Sequence, residues 1–289
     1  QMMIDLYEHI DSPINDKTLK AWHRMLMMGN STIKEIGIYR THVEPMQIIS
    51  GPSYAPKIHF EAPPSSNIKN EMERFLKWCI NSAPDGSTPL PPITRAAIAH
   101  LWFEMIHPFE DGNGRIGRAI SEKILLHSLH HPIFIPLSTT ILSKQKEYYK
   151  ALENNNRSLE ITHWILWFAT VILEAQQRFK NQLKFTIEKA RFLDKARGHI
   201  NERQEKVLLR MFEEGIDGFK GGLSANNYAT IADTLTATTT RDLQDLVEKG
   251  FLLKTGQFKG ARYHLPLPDL RITPIQIKDI TAMHKTHTQ

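Results

Sequence analysis

Residues 107–118 of this 289-residue chain read HPFEDGNGRIGR, and no other stretch restricts the fold so tightly. Ahead of it, 93–106 (ITRAAIAHLWFEMI) places apolar residues at 93, 97, 98, 101, 102, 105 and 106, which is helical spacing. Pro108 ends that helix, because its ring and missing N–H oppose continuation and push His107 out of the helical region. Gly112 and Gly114 permit positive φ, so successive backbone N–H groups can converge on one anion. From Arg115 the string IGRAISEKILLHSL resumes helical spacing. The glycine loop therefore feeds a helix N-terminus, with its unpaired N–H groups and positive dipole end.

The side chains in this segment suit phosphate chemistry. Histidine is the side chain that can act as a base near neutral pH, and His107 supplies one. Asp111 offers a carboxylate to a divalent cation such as Mg²⁺, which takes one or two carboxylates plus phosphate oxygens and water. Arg115 and Arg118 stand three apart in the first turn, on one side of the helix, with planar forks that match phosphate. Arginines there work against the helix dipole, so two of them point to a bound anion. Each residue alone has an ordinary reading: a histidine at a helix end usually caps or lies on the surface, and Asn-Gly is usually a turn. The twelve positions together do not.

The string matches, at every specified position, the signature HPFx(D/E)GNGRxxR, and the chain thereby resembles the Fic family. The resemblance runs from about residue 19 to 179. GIYR at 37–40 and EPMQIISG at 44–51 are similar to the stretch before and within the family's β-hairpin flap, and EYYKALENNN at 147–156 to its adenine-side segment. This implies a mainly α fold, a Fic-type helical bundle with a small flap. It also implies transfer of AMP from ATP to a Ser, Thr or Tyr hydroxyl of a protein, self-modification included. On the matched positions His107 would be the base and Asp111 would hold Mg²⁺ bridging the α- and β-phosphates. Gly112, Asn113 and Gly114 would cradle the phosphates, with Asn113 helping to orient the α-phosphate. Arg115 would pair with the β-phosphate side and Arg118 with the γ-phosphate. Tyr148, Tyr149 and Asn156 would lie on the adenine side, and Ile49, Ser50 and Gly51 in the flap, where the target protein would dock as an added strand. Independently of the resemblance, 46–50 is a β-prone run, Gly51-Pro52 a turn, and KIHF at 57–60 a returning strand.

The remainder of the chain divides near residue 198. The length favours two domains, 1–198 and 199–289. The segment 159–197 reads as one or two long helices, and Gly198 breaks them. Between 178 and 210 there are ten Lys/Arg against four Asp/Glu. Three helical patterns follow, NERQEKVLLRMFEEG, NNYATIADTL and TTTRDLQDLVEKG, and then FLLKTGQFKGARYHL with two β-prone runs. This order resembles a winged helix (α+β), a module common beside Fic domains in bacteria, with 238–249 as recognition helix and 254–262 as wing. The basic wing (Lys254, Lys259, Arg262) suits DNA, with 236–262 as the contact region, whereas Asp242, Asp245 and Glu248 on the recognition helix oppose it. Docking of protein, or of a second copy as a homodimer, is the other use of such a module.

A single cysteine, Cys79, sits in a helical pattern that buries it and excludes an internal disulfide, which suits a reducing cytoplasm. The histidines of HSLHH at 127–131 could bind a metal, but they read better as a solvated helix end. The most apolar run, 161–173, is too short for a bilayer and contains His163, so it reads as a core helix. The glutamate-bearing restraint motif (S/T)xxxE(G/N) of the family has no full match; STIKE at 31–35 is followed by Ile36. That helix would lie upstream of Gln1, on another chain, or nowhere. The rival functions are transfer of UMP or phosphocholine, removal of AMP, and a DNA-binding regulator whose Fic fold senses a nucleotide; the last would not require His107.

Overall fold

The computed structural model describes residues 1–50, 54, 57–129, 135–155, 159–271 and 274–277. The chain forms two compact units, one built from Gln1–Gln176 with Pro274–Gln289 and the other from Gln177–Thr273. The expected mainly helical architecture is what forms, with two small antiparallel hairpins.

The first unit begins with α1 (Met2–Glu8) and α2 (Asp16–Met27). The side chain of Asn15 accepts the Thr18 N–H and starts α2. The hairpin β1 (Gln47–Ser50) and β2 (Lys57–Glu61) follows, pairing Gln47 with Glu61 and Ser50 with Lys57, with a register shift between Ile48 and Ile49. The expected strands thus form, with a bulge between them. The segment 28–36, which contains STIKE, forms turns rather than helix, and Glu35 accepts hydrogen bonds from the backbone and hydroxyl of Thr41.

Next come α3 (Ile68–Asn81), α4 (Pro92–Ile106) and α5 (Asn113–Leu129). Pro92 occupies the first position of α4, where a missing N–H costs nothing. α4 is buried on nearly every side, and Ala96, Ala97 and Ala99 let neighbouring helices approach closely. The core around it contains Trp22, Phe75, Phe103, Phe109, Trp164 and Phe168, and the Trp164 indole N–H donates to the Ala97 carbonyl at 2.7 Å. α6 (Leu137–Ser143), α7 (Gln145–Asn155) and the first half of α8 (Thr162–Ala196) complete the bundle. The run 161–173 is a core helix as expected, and 162–196 is one continuous helix. Cys79 is buried. No helix among the described residues is long and apolar enough to cross a membrane.

The second unit holds the end of α8, then α9 (Glu202–Glu213), α10 (Ala225–Ala232), α11 (Thr236–Glu248) and the hairpin β3 (Leu253–Thr255) with β4 (Arg262–His264). A capping box of Asn201 and Gln204 starts α9. Leu208, Phe212, Tyr228, Leu243, Leu246 and Phe251 form a separate core. Asp242 is buried, where it accepts from Tyr228, Arg203 and Asn201. Asp245 is bonded by Lys249 and Gln204, each at 2.8 Å.

Candidate active site

His107 stands immediately after α4 with φ 48° and ψ 59°, a left-handed conformation in place of the extended one expected before proline. Its N–H still bonds the Phe103 carbonyl, so the residue serves as the helix C-cap. A histidine held there is strained, and such strain concentrates at functional positions. Its Nδ1 lies 3.2 Å from the Glu104 carbonyl oxygen. A carbonyl can only accept, so Nδ1 carries the hydrogen and Nε2 presents a lone pair. Burial pushes this imidazole down to about 4, with the neighbouring Arg40 charge acting the same way, so the ring is neutral at physiological pH.

The loop after His107 is braced from several directions. Asn113 closes on Phe109 through both side-chain amide atoms and is 2% exposed. Gly112 has φ 82°, as expected, and a Cβ there would strike Met27 at 2.4 Å. Gly114 differs: α5 begins at Asn113, two residues before the expected start, so Gly114 is helical and lacks positive φ. Its smallness serves space, because a Cβ there would lie 3.3 Å from Arg118 Nη1. Asp111 is half exposed; its carboxylate accepts the Gly112 N–H at 2.5 Å and pairs with Arg115 at 3.2 Å.

Two bracing residues had no sequence-derived role. Arg40 is 2% exposed and donates to the carbonyls of His107 (2.8 Å) and Pro63 (2.6 Å) and to Ser65 Oγ (2.9 Å). His23 accepts the Gly37 N–H on Nδ1, which leaves its Nε2–H to donate to the Asp111 carbonyl at 3.1 Å. Its ring stacks on Phe109 with centroids 4.2 Å apart. GIYR was visible in the sequence as a flanking motif, but nothing local names the partners of Arg40.

Arg118 has a different partner from Arg115, donating from Nε to Ser138 Oγ at 2.9 Å. Together with Gln145, Tyr148 and Tyr149 it lines a cleft of about 370 Å³. The structure thus unites the second arginine with both tyrosines. Tyr148 is largely a core residue, 5% exposed, with its hydroxyl 3.0 Å from His100 Nε2. Tyr149 is 45% exposed on the cleft. Asn156 and Gly51 lie outside the described residues, and Ile49 and Ser50 are on β1. A second, mainly apolar cavity of about 250 Å³ beside Cys79 holds no residue of the motif. Its buried Arg95 and Lys123 bond the carbonyls of Cys79 and His9 at helix ends, which accounts for them.

Among the described residues no three His, Cys, Asp or Glu side chains cluster as a metal cage. A cation at Asp111 would therefore take one protein carboxylate and complete its shell with substrate oxygens and water, the arrangement Mg²⁺ tolerates.

Residues 13–125, which include α2 to α4, the loop and most of α5, match the family described as Fic/DOC. Protein adenylyltransferase fic-1 of Caenorhabditis elegans is 30% identical over 149 residues, covering 52% of this chain and 25% of that protein. Protein adenylyltransferase Fic of Drosophila melanogaster is 36% identical over 85 residues, 29% of this chain and 16% of its own length. The chain thus spans a quarter or less of these curated relatives. A solved Fic family protein from Desulfovibrio desulfuricans G20 superposes with a TM-score of 0.48 at 23% identity, covering 91% of this chain and 73% of that one. With the intact HPFEDGNGRIGR string folded as helix, braced loop and helix inside the matched segment, residues 13–125 form a Fic/DOC-type domain.

Proposed function

We propose that this protein transfers AMP from ATP to a Ser, Thr or Tyr hydroxyl of a protein, itself included. The observation that carries the reading is His107: its Nδ1–H is anchored on Glu104, so a neutral imidazole offers Nε2 beside a loop that leads to two arginines. The hydroxyl oxygen attacks the α-phosphorus, its proton passes to Nε2, and the bond from the α-phosphorus to the bridging oxygen breaks, releasing pyrophosphate. Such transfer depends on positioning and charge stabilisation more than on covalent help. Asp111 would hold Mg²⁺, which when bound neutralises phosphate charge. Arg115 and Arg118 grip the β- and γ-phosphate sides. Asn113 orients the α-phosphate only by giving up one of its bonds to Phe109. The Arg118–Tyr149 cleft receives the nucleotide, and the β1–β2 hairpin receives the target strand, at Ile49 and Ser50. The names of the curated relatives support the same reaction, and a single buried cysteine suits a reducing cytoplasm.

The test is incubation with Mg²⁺ and α-labelled ATP in lysate, with ATP, GTP, CTP and UTP as competitors. This chain or a partner becomes labelled, unlabelled ATP competes best, and His107→Ala abolishes labelling. Equal labelling by parent and variant sinks the mechanism; preferential competition by UTP or CTP reassigns the donor.

A second reading concerns the other unit, as a winged-helix module that binds duplex DNA. α10, the turn 233–235 and α11 follow one another as in a helix-turn-helix. The acids that counted against α11 are engaged internally: Asp242 by Arg203 and Tyr228, Asp245 by Lys249 and Gln204, and Glu248 by Gln244. Thr236, Thr240 and Arg241 remain exposed at its start. Gln177–Thr273 carries seventeen Lys/Arg against twelve Asp/Glu, so the chain's whole +5 resides there, the rest balancing at nineteen of each. Duplex affinity that falls steeply with salt, and less steeply after Arg241→Ala with Lys254→Ala, supports this reading. No retention on duplex DNA at low salt removes it.

A further inference from the structure

Glu104 lies in the last turn of α4, three residues before His107, and is 5% exposed. Its backbone carbonyl anchors the His107 ring, whereas its side-chain Oε1 is buried without a hydrogen-bond partner. A stranded buried carboxyl oxygen is costly, and where one persists a function usually explains it.

The carboxyl faces the bare side of α5. A Cβ on Gly117 would stand 2.8 Å from Oε1; one on Gly114 would stand 3.7 Å from Oε1 and 3.3 Å from Arg118 Nη1. The two glycines are three apart, on one face of the helix, and leave a gap with the carboxyl on one side and the guanidinium on the other. Gly117 occupies a position that the signature leaves open, so its need for a glycine comes from this chain's own Glu104.

The titratable groups around the carboxyl are Arg118 on α5, Tyr148 on α7 and His100 on its own helix, while His107 bonds the Glu104 backbone carbonyl. Burial holds His100 down at about 3 and His107 at about 4, and keeps the Tyr148 phenol well above its ordinary range. All three are neutral at physiological pH, so Arg118 is the charge that Glu104 meets.

We infer that Glu104 is a positioning residue for Arg118, drawing the guanidinium against Gly114 when no nucleotide is bound and taking up a solvent proton when a polyphosphate claims it. The inference rests on the reading of this site as a polyphosphate site. In the empty site, carboxylate and guanidinium offset each other. A terminal phosphate that binds Arg118 strands a buried anion beside a polyanion, and one proton on the carboxyl removes that repulsion. Burial already lifts Glu104 to about 7, so the proton is within reach at neutral pH. Binding is then independent of pH below about 7 and weakens by up to roughly tenfold per unit above it.

The experiment is calorimetric titration with Mg²⁺ and an ATP analogue blocked at the α–β bridge, from pH 6 to 9, in two buffers of different ionisation heat. At pH 8 the nucleotide phosphates are fully ionised, so proton uptake there belongs to the protein. The parent takes up close to one proton per nucleotide at pH 8, and Glu104→Gln takes up none. At pH 8.5 the variant binds at least roughly tenfold tighter than the parent. Binding by the parent with no uptake and no pH dependence overturns the role of Glu104 and leaves the phosphate site standing, as does equal uptake by the variant. No binding by either protein at any pH overturns the phosphate site and this inference with it.

Discussion

Asn113 and Phe109 close a ring of two hydrogen bonds across the loop: the Phe109 N–H donates to Oδ1 and Nδ2 donates to the Phe109 carbonyl, each at 2.9 Å. The asparagine of the signature therefore shapes the loop before any ligand arrives. Asn113→Ala strands both backbone groups, at about 1–3 kcal/mol for each. Urea unfolding checks the loss of stability, and nucleotide affinity falls with it. A variant as stable as the parent would show that the loop is held by other means.

If the proposed transfer is the reaction, His107 sets its acid side. Because burial holds its imidazole down to about 4, the base form persists well below neutrality. The kcat/KM for labelling, which reports the free protein, shows no loss of the base from pH 7 to about 5.5 and declines only nearer pH 4. An acid limb centred near 6.5 would mean a ring solvated like that of a free histidine. The same sign governs stability. His100 and His107 bind protons more readily in the unfolded chain, so stability is full above about 6.5 and falls as the pH drops toward their folded values.

Gly117→Ala reverses the usual effect of this exchange. In an open helix it stabilises by about 1 kcal/mol. Here the new methyl meets Glu104 Oε1 at 2.8 Å, and the variant loses about 1–3 kcal/mol. Glu104→Ala combined with it restores part of that loss. Thermal unfolding of the four proteins measures the coupling, and additive effects would show that the two residues do not meet.

Local signals made much of this molecule legible. Helical spacing on both sides of Pro108 and Gly112 announced α4, the loop and α5, and the β-prone runs at 46–50 and 57–60 announced the hairpin. Contacts across long separations were not legible. Arg40 reaches His107 over 67 positions and His23 reaches Asp111 over 88, and no spacing rule names such partners. Gly114 misled because glycine serves two ends, dihedral freedom and missing bulk, and here it supplies the second. The partners of Asp242 and Asp245 were equally hidden, because a count of charges along α11 does not reveal which of them are bonded to neighbouring side chains.

The left-handed backbone of His107 bears on which substitution would silence the proposed activity. Alanine there removes the imidazole but also asks a residue that avoids positive φ to hold the end of α4. Asparagine visits that region readily and has no lone pair basic enough to accept the hydroxyl proton. His107→Asn is therefore the substitution that leaves the turn where it was and silences the ring alone, and a target trapped on it would be held by an otherwise native surface.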